Sequence, residues 1–264
     1  MSAINDYTTY IEGMQKSLED KLFWKNAYIM IPEDYDTIVD FGCANGALLH
    51  KFLNDKDYAG QTLIGIDNNK EMRKLAKEKI PSLITLPELS DIDLWGHKAL
   101  LNLSSVIHEV YSYGTLESII NFWDKVLNTG FHYIAIRDLM VDHSIIRQLS
   151  DTPEYCDCLK KFDQKQWQDF LKHRDHNSTP TPKDVVHYLM KYRYIENWDR
   201  EVKENYFPIY YEDLINTIVG SGKYDLIYSK RYILPYVKDK IKEDFDLDLV
   251  DDTHCQLIFK MKNH

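Results

Sequence analysis

Thr37-Ile38-Val39-Asp40-Phe41-Gly42-Cys43-Ala44-Asn45-Gly46-Ala47-Leu48-Leu49-His50-Lys51-Phe52-Leu53 decides how this chain is read. Two β-branched residues, Ile38 and Val39, lead into an acid. A turn containing Gly42 and Gly46 follows, and then an apolar run with helical character. Strand, glycine turn and helix in that order form a ligand cradle, because glycine lets the backbone approach a bound molecule and a helix start offers amide donors.

Outward from this stretch, strands and helices alternate. Residues 61–67 predict a second strand and 69–80 a second helix, stopped by Pro81; 82–86 and 97–103 predict the third and fourth strands. Leu116, Ile119, Ile120, Trp123, Val126 and Leu127 share one helical face, with Thr115 as N-cap and Gly130 as stop. Residues 131–137 predict a fifth strand. Strands and helices at this spacing imply right-handed crossovers and a parallel sheet, so the fold class is α/β.

The alternation stops after Asp138. Residues 141–211 read as a helical insertion, broken at Pro180 and Pro182, that covers the carboxyl ends of the strands. A helix over 211–219 returns the chain to two last strands, 224–229 and 254–260; the acidic connector 243–252 reads as a solvated loop with a short helix. Tyr10, Ile11, Met14, Leu18, Leu22 and Phe23 give the first 31 residues a helical face that packs on the main domain, 32–264, with a lid over the ligand site as the alternative.

Composition narrows the partners. A net charge of −10 disfavours a protein built for non-specific attraction to nucleic acid and raises the prior for small ligands. No apolar run approaches the roughly 20 residues needed to cross a bilayer, and the first residues do not resemble a signal peptide. Cys43, Cys156, Cys158 and Cys255 are scattered, which argues against a disulfide framework or a metal site and makes the cytoplasm the expected compartment. Nineteen tyrosines, many in the second half, suit either a tyrosine-rich core or a pocket wall.

In an open parallel sheet the ligand lies beyond the carboxyl ends of the strands, where strand order reverses, so the glycine turn and Asp67 meet in one crevice. Asp67 lies about 25 positions after Gly42, where an acid meeting ribose hydroxyls falls. Asp40-Phe41-Gly42-Cys43-Ala44-Asn45-Gly46 resembles the D/E-x-G-x-G-x-G signature of class I S-adenosylmethionine-dependent methyltransferases, with Ala44 in place of the middle glycine. A dinucleotide site fits less well, because Gly46 comes four positions after Gly42, one short of the G-x-G-x-x-G spacing.

The resemblance covers about residues 37–137. It implies a Rossmann-like seven-stranded, mostly parallel sheet with a C-terminal antiparallel hairpin and S-adenosyl-L-methionine as cofactor; no metal is expected, the cysteines being scattered. It further implies Asp40 near the methionine amino group and Gly42, Ala44 and Gly46 beside the methionine portion. Asp67, with Asn68 next to it, would meet the ribose, and Asp91 the adenine amine. Asn102 and Ser104 would border the methionine and sulfonium.

Ser104-Ser105-Val106-Ile107-His108-Glu109-Val110-Tyr111-Ser112-Tyr113 follows the fourth strand, where this fold brings the transferred group. His108 is the candidate base, since its neutral form is available near pH 7; Glu109 adjoins it without an implied pairing, and Tyr111 is a candidate acceptor contact. Arg137 and Asp138 end the fifth strand, to bind an acceptor carboxylate or phosphate or to pair with each other. In the insertion, Tyr192 and Trp198 are candidate acceptor contacts, against the alternative of an amphipathic helix sealing its own core.

The expected activity is methyl transfer to oxygen or nitrogen of a small or medium-sized acceptor. The alternatives are an RNA (tRNA) methyltransferase and a non-catalytic, cofactor-binding regulatory subunit.

Overall fold

A computed structural model describes residues 17–26, 35–55, 58–174 and 179–262. Of the N-terminal segment, residues 17–21 are helical (α1) and run into a 3-10 turn, Phe23–Asn26; the rest of that expected helix lies outside the described residues.

Seven strands form one sheet in the order β3-β2-β1-β4-β5-β7-β6. They are β1 (Thr37–Phe41), β2 (Thr62–Ile66), β3 (Ile84–Leu86), β4 (Ala99–Ser104), β5 (Tyr133–Leu139), β6 (Tyr224–Tyr232) and β7 (His254–Met261). The first five pair in parallel, and β7 runs antiparallel to both β5 and β6. The strand order reverses between β1 and β4, which makes the carboxyl ends of these two strands the crevice of the sheet. In register, Asp40 lies opposite Asn102 and Ser104 opposite Arg137.

The central strands are buried on both faces, hence their near-continuous apolar runs. Side chains alternate between two cores: Val39, Leu101, Leu103, Ile134 and Ile136 enter one, while Ile38, Leu100, Tyr133 and Ala135 enter the other. The second core takes α2 (Ala47–Leu53), α3 (Lys70–Lys79) and the Leu22–Trp24 segment; the first takes α5 (Leu116–Asn128) and α10 (Tyr211–Val219). Local signals set the ends. Asn69 caps α3 and Thr115 caps α5, each by accepting from backbone amides of the first turn.

The insertion builds a third core from α6 (Pro153–Leu159), α7 (Gln164–His173) and α8 (Pro182–Leu189). Pro182 occupies the first turn of α8 behind a capping box between Thr181 and Asp184. Much of the tyrosine content goes into cores, with Tyr133, Tyr155, Tyr188, Tyr206 and Tyr224 buried. The acidic connector holds the expected short helix, α11 (Pro235–Phe245), but the run after it is not simply solvated: from Phe245 on it alternates, Phe245, Leu247 and Leu249 inward and Asp246 and Asp248 outward. These apolar residues join the insertion core, which is thus built from two separate chain segments. Among the described residues, no helix is long and apolar enough to cross a membrane.

Candidate active site and ligand cradle

The glycine turn is tied to β2. The amides of Gly42 and Cys43 both donate to the Ile66 carbonyl (2.8 and 3.0 Å), and the Ala44 amide donates to Asp67 Oδ2 (3.0 Å). Gly46 donates to the Cys43 carbonyl, and Ala47 to Asn45 Oδ1. The turn thus spends five of its amides internally, while those of Leu48 and Leu49 in the first turn of α2 have no acceptor among the described residues, as expected of a helix start. Beside these donors stand the acceptors of Asp40 and Asp67, which suit a ligand bearing hydroxyl and ammonium donors.

Gly42 adopts φ +76°, and a Cβ there would lie 2.8 Å from Val106 Cγ2. Gly46, at φ +71°, lies against Ala76 of α3, 3.0 Å from a built Cβ. Ala44 takes φ +44°, so the residue standing where the signature has glycine carries a left-handed backbone. Asp67 is half-buried, with Oδ1 accepting from the Asn69 amide (2.8 Å), and keeps lone pairs on both oxygens for hydroxyl donors. Asp40 is buried and accepts from Asn102 Nδ2 (2.8 Å). Burial pushes its carboxyl up to about 7, against the Asn102 bond and the Lys21 charge. A cationic amino group placed beside it would restore its ionised form. These features fit S-adenosylmethionine, whose ammonium Asp40 would meet and whose ribose Asp67 would meet.

Asn102 itself is wholly buried, its Oδ1 accepting from Trp24 Nε1 (3.1 Å) and Ser104 Oγ (3.0 Å). It orients Asp40 and Ser104 from behind. Asn68 and Asp91 are exposed, Asp91 in the turn Leu89–Asp91 after β3.

A cavity of about 150 Å³ opens over the carboxyl ends of β4 and β5, beneath the insertion and beside α1. Helix α4 (Ile107–Tyr113) brings His108 and Glu109 to it. His108 Nδ1 lies 2.6 Å from Asp138 Oδ1. Asp138 Oδ2 accepts the Val106 and Ile107 amides (3.0 and 2.7 Å), so the carboxylate is fixed by the start of the same helix. Burial lowers the imidazole pKa, but the charge and hydrogen bond of Asp138 more than offset it, and the net direction is upward. Asp138 moves down: burial opposes its charge, and His108 with the amides outweighs burial. With Nδ1 held, Nε2 is the nitrogen left for a ligand, and it has no partner among the described residues.

Glu109 does not pair with His108. It meets Arg200 Nη2 (3.3 Å), which also meets Glu204 (2.9 Å), and burial pushes its carboxyl up. Arg137 and Asp138 do not pair either, since adjacent strand residues point to opposite faces. Arg137 turns to α1, with Nε on Asp20 (2.6 Å) and Nη1 on Ser105 Oγ (2.9 Å).

Three expected acceptor contacts lie away from the cavity. Tyr111 accepts from Trp123 Nε1 (2.9 Å) and packs on the sheet core. Tyr192 bonds Asp244 and packs on Phe245. Trp198 donates to Asp169 (2.9 Å) and meets Tyr188. Both Tyr192 and Trp198 fasten the insertion to its own core, as in an amphipathic helix sealing a core of its own. In their place the cavity is lined by Lys21, Ser105, Tyr194, Tyr206 and Tyr236. Asp138 was legible by strand parity, which rules out pairing with Arg137; nothing in the sequence brings Lys21 or Tyr236 to the site.

No family model matches the chain. It is 36% identical over 59 residues to an uncharacterized methyltransferase of Bacillus cytotoxicus and 34% identical over 59 residues to one of Bacillus mycoides. Each match takes in 22% of this chain, which spans about a quarter of the length of these curated relatives (26%). Among solved structures, the methyltransferase domain of bacterial CtHen1-C is similar with a TM-score of 0.51, at 11% identity, over 94% of this chain and 100% of that one. The plantazolicin methyltransferase BpumL, in complex with a pentazolic desmethylPZN analog and SAH, is similar with a TM-score of 0.50, at 11% identity, over 95% of this chain and 85% of that one. The fold is that of the class I S-adenosylmethionine-dependent methyltransferases.

Proposed function

We propose that the chain is an S-adenosylmethionine-dependent methyltransferase acting on oxygen or nitrogen of a small or medium-sized acceptor held under the insertion. The observation that carries this reading is the glycine turn at the β1/β4 reversal, where Asp40 and Asp67 offer acceptors to an amino group and a ribose. Two carboxylates there favour a sulfonium nucleoside, which brings an ammonium and ribose hydroxyls, over a dinucleotide, whose pyrophosphate they would repel.

When bound, the cofactor supplies an electrophilic methyl group, and its C–S electron pair stays on sulfur to leave a neutral thioether. The residues of the chain do the rest. His108 Nε2 takes the proton that the acceptor heteroatom sheds as it bonds to the methyl carbon. Asp138 fixes the tautomer through Nδ1 and stabilises the imidazolium that forms. The insertion and α1 close over the cavity, keep water from the reacting atoms and hold the acceptor in line.

Isothermal titration of the folded chain with S-adenosylmethionine and S-adenosylhomocysteine tests the reading directly. Binding of both, weakened by Asp67→Ala, is expected. Binding of neither would defeat it.

A further inference from the structure

Three side-chain donors at the cavity have no acceptor. Arg137 Nη2 is buried and unpartnered, although Nε and Nη1 of the same guanidinium are engaged. Ser105 Oγ accepts from Arg137 Nη1, so its own proton remains to be donated. Lys21 Nζ has no acceptor among the described residues. All three residues line the cavity on the side formed by α1, β4 and β5. Ser105 is held there at φ +55°, a left-handed conformation rare for a non-glycine residue and concentrated at functional sites.

The opposite wall carries Glu109, Glu201 and Glu204, but these are committed. Arg200 spans Glu109 and Glu204, Tyr113 donates to Glu204 (2.7 Å), and Tyr206 donates to Glu201. Asp20 is taken by Arg137, Tyr232 and Gln256. The other carboxylates near Lys21 are Asp138, occupied by His108 and two amides, and Asp40, which burial holds toward its neutral form. Lys21 and Arg137 thus face one committed counter-charge, Asp20, and have room for one more negative charge. A singly charged carboxylate matches that better than a doubly charged phosphate.

We infer that the acceptor is a small carboxylic acid, its carboxylate held by Arg137, Ser105 and Lys21 and a separate oxygen or nitrogen presented to His108. The inference rests on the methyltransferase reading and names its substrate class. The carboxylate itself is the anchor and not the methylated group: three donors suppress its nucleophilicity, and it has no proton for His108 to take. A cavity near 150 Å³ holds a molecule of about the size of benzene, which points to a single ring or a short chain.

Ligand-observed NMR on the full chain, with and without S-adenosylhomocysteine, tests this with three probes: 4-hydroxybenzoate, 4-hydroxybenzamide and phenyl phosphate. The acid should bind at least tenfold more tightly than the neutral amide and than the phosphate. Arg137→Gln and Lys21→Met should each weaken the acid tenfold or more, with Arg137→Gln leaving S-adenosylhomocysteine affinity within twofold. Equal binding of acid and amide, no binding of the acid, or variants that bind it as well as the unaltered chain would overturn the carboxylate site. Preference for phenyl phosphate would overturn the ligand class. The acid–amide comparison needs no variant, so it decides even where Arg137→Gln, by releasing Asp20, fails to fold. Acid binding without any S-adenosylhomocysteine binding would instead remove the methyltransferase reading and leave the carboxylate site standing.

Discussion

Asp138 governs what His108 can do. Alone, the buried imidazole would be driven neutral; beside Asp138 it holds its proton to higher pH. Since the folded pKa lies above the ordinary 6.5, the pair contributes stability that is full below 6.5 and lost as pH rises through the raised value. For Asp138 the sense is opposite: its contribution is present above 3.8 and lost as pH falls through its lowered folded value. An NMR titration of the His108 ring should therefore find a midpoint above 6.5, and Asp138→Asn should move it below 6.5, because burial, the largest influence, is then opposed only by the smaller pull of Glu109 and Glu204. A midpoint unmoved by that substitution would remove Asp138 from the role. With an acceptor in hand, Asp138→Asn should lower turnover by roughly 10²–10⁴ and leave cofactor affinity within twofold. Asp40 gives a second test at this scale. Its carboxyl is raised to about 7, so ionising it costs the fold stability progressively as pH rises from 3.8 through 7. Asp40→Asn should raise the urea midpoint at pH 8, by about 1–3 kcal/mol in stability, while weakening cofactor binding. Lower stability at pH 8 would show that the charged form is well solvated.

At the scale of the element, the strand–turn–helix unit was readable because local chemistry and burial agree in it: β-branched residues in the buried strand, glycines where φ is positive, apolar spacing in the helix. Gly42→Ala sets a Cβ 2.8 Å from Val106 Cγ2 and forces alanine to φ +76°. It should cost about 1–3 kcal/mol in stability and lower S-adenosylhomocysteine affinity, measured by urea denaturation and titration calorimetry. Unchanged values in both would mean that the turn moves freely away from Val106. What the sequence hid at this scale was the α11 region. Its acids dominate the composition from Glu243 to Asp252, and they mask the two-residue alternation of Phe245, Leu247 and Leu249. The short helix expected in this connector is present as α11, but the charge run hides that every second residue from Phe245 to Leu249 is core.

Across the whole molecule, the sheet was legible and the packing of the insertion was not, for one physical reason. Each strand shows itself by a local apolar run beside a regularly spaced helix, and the crossover rules of such folds then bring together even strands distant in sequence, such as β1 with β4. The packing of the insertion depends on particular side chains meeting over long separations, which no local pattern encodes. Tyr192 and Trp198 have the composition of a binding wall, yet Asp244 and Asp169 turn both inward. Arg200 is the joint that matters here: it is buried, belongs to the insertion, and reaches Glu109 on α4 while holding Glu204 through Nε (3.0 Å) and Nη2. Arg200→Met leaves Glu204 buried and Glu109 half-buried without their cation; breaking a fully buried pair costs about 3–5 kcal/mol, and the partial exposure of Glu109 brings the expected loss toward the lower end. The expected result is a fall of that order in urea stability, with faster hydrogen exchange in α8 and α11, the elements of the lid core. Adding Glu204→Gln should recover part of it, because one stranded charge is removed and the Tyr113 hydroxyl keeps an acceptor. A fall below about 1 kcal/mol would instead mean that the apolar core of the lid holds it down and that the ion cluster serves the cavity alone.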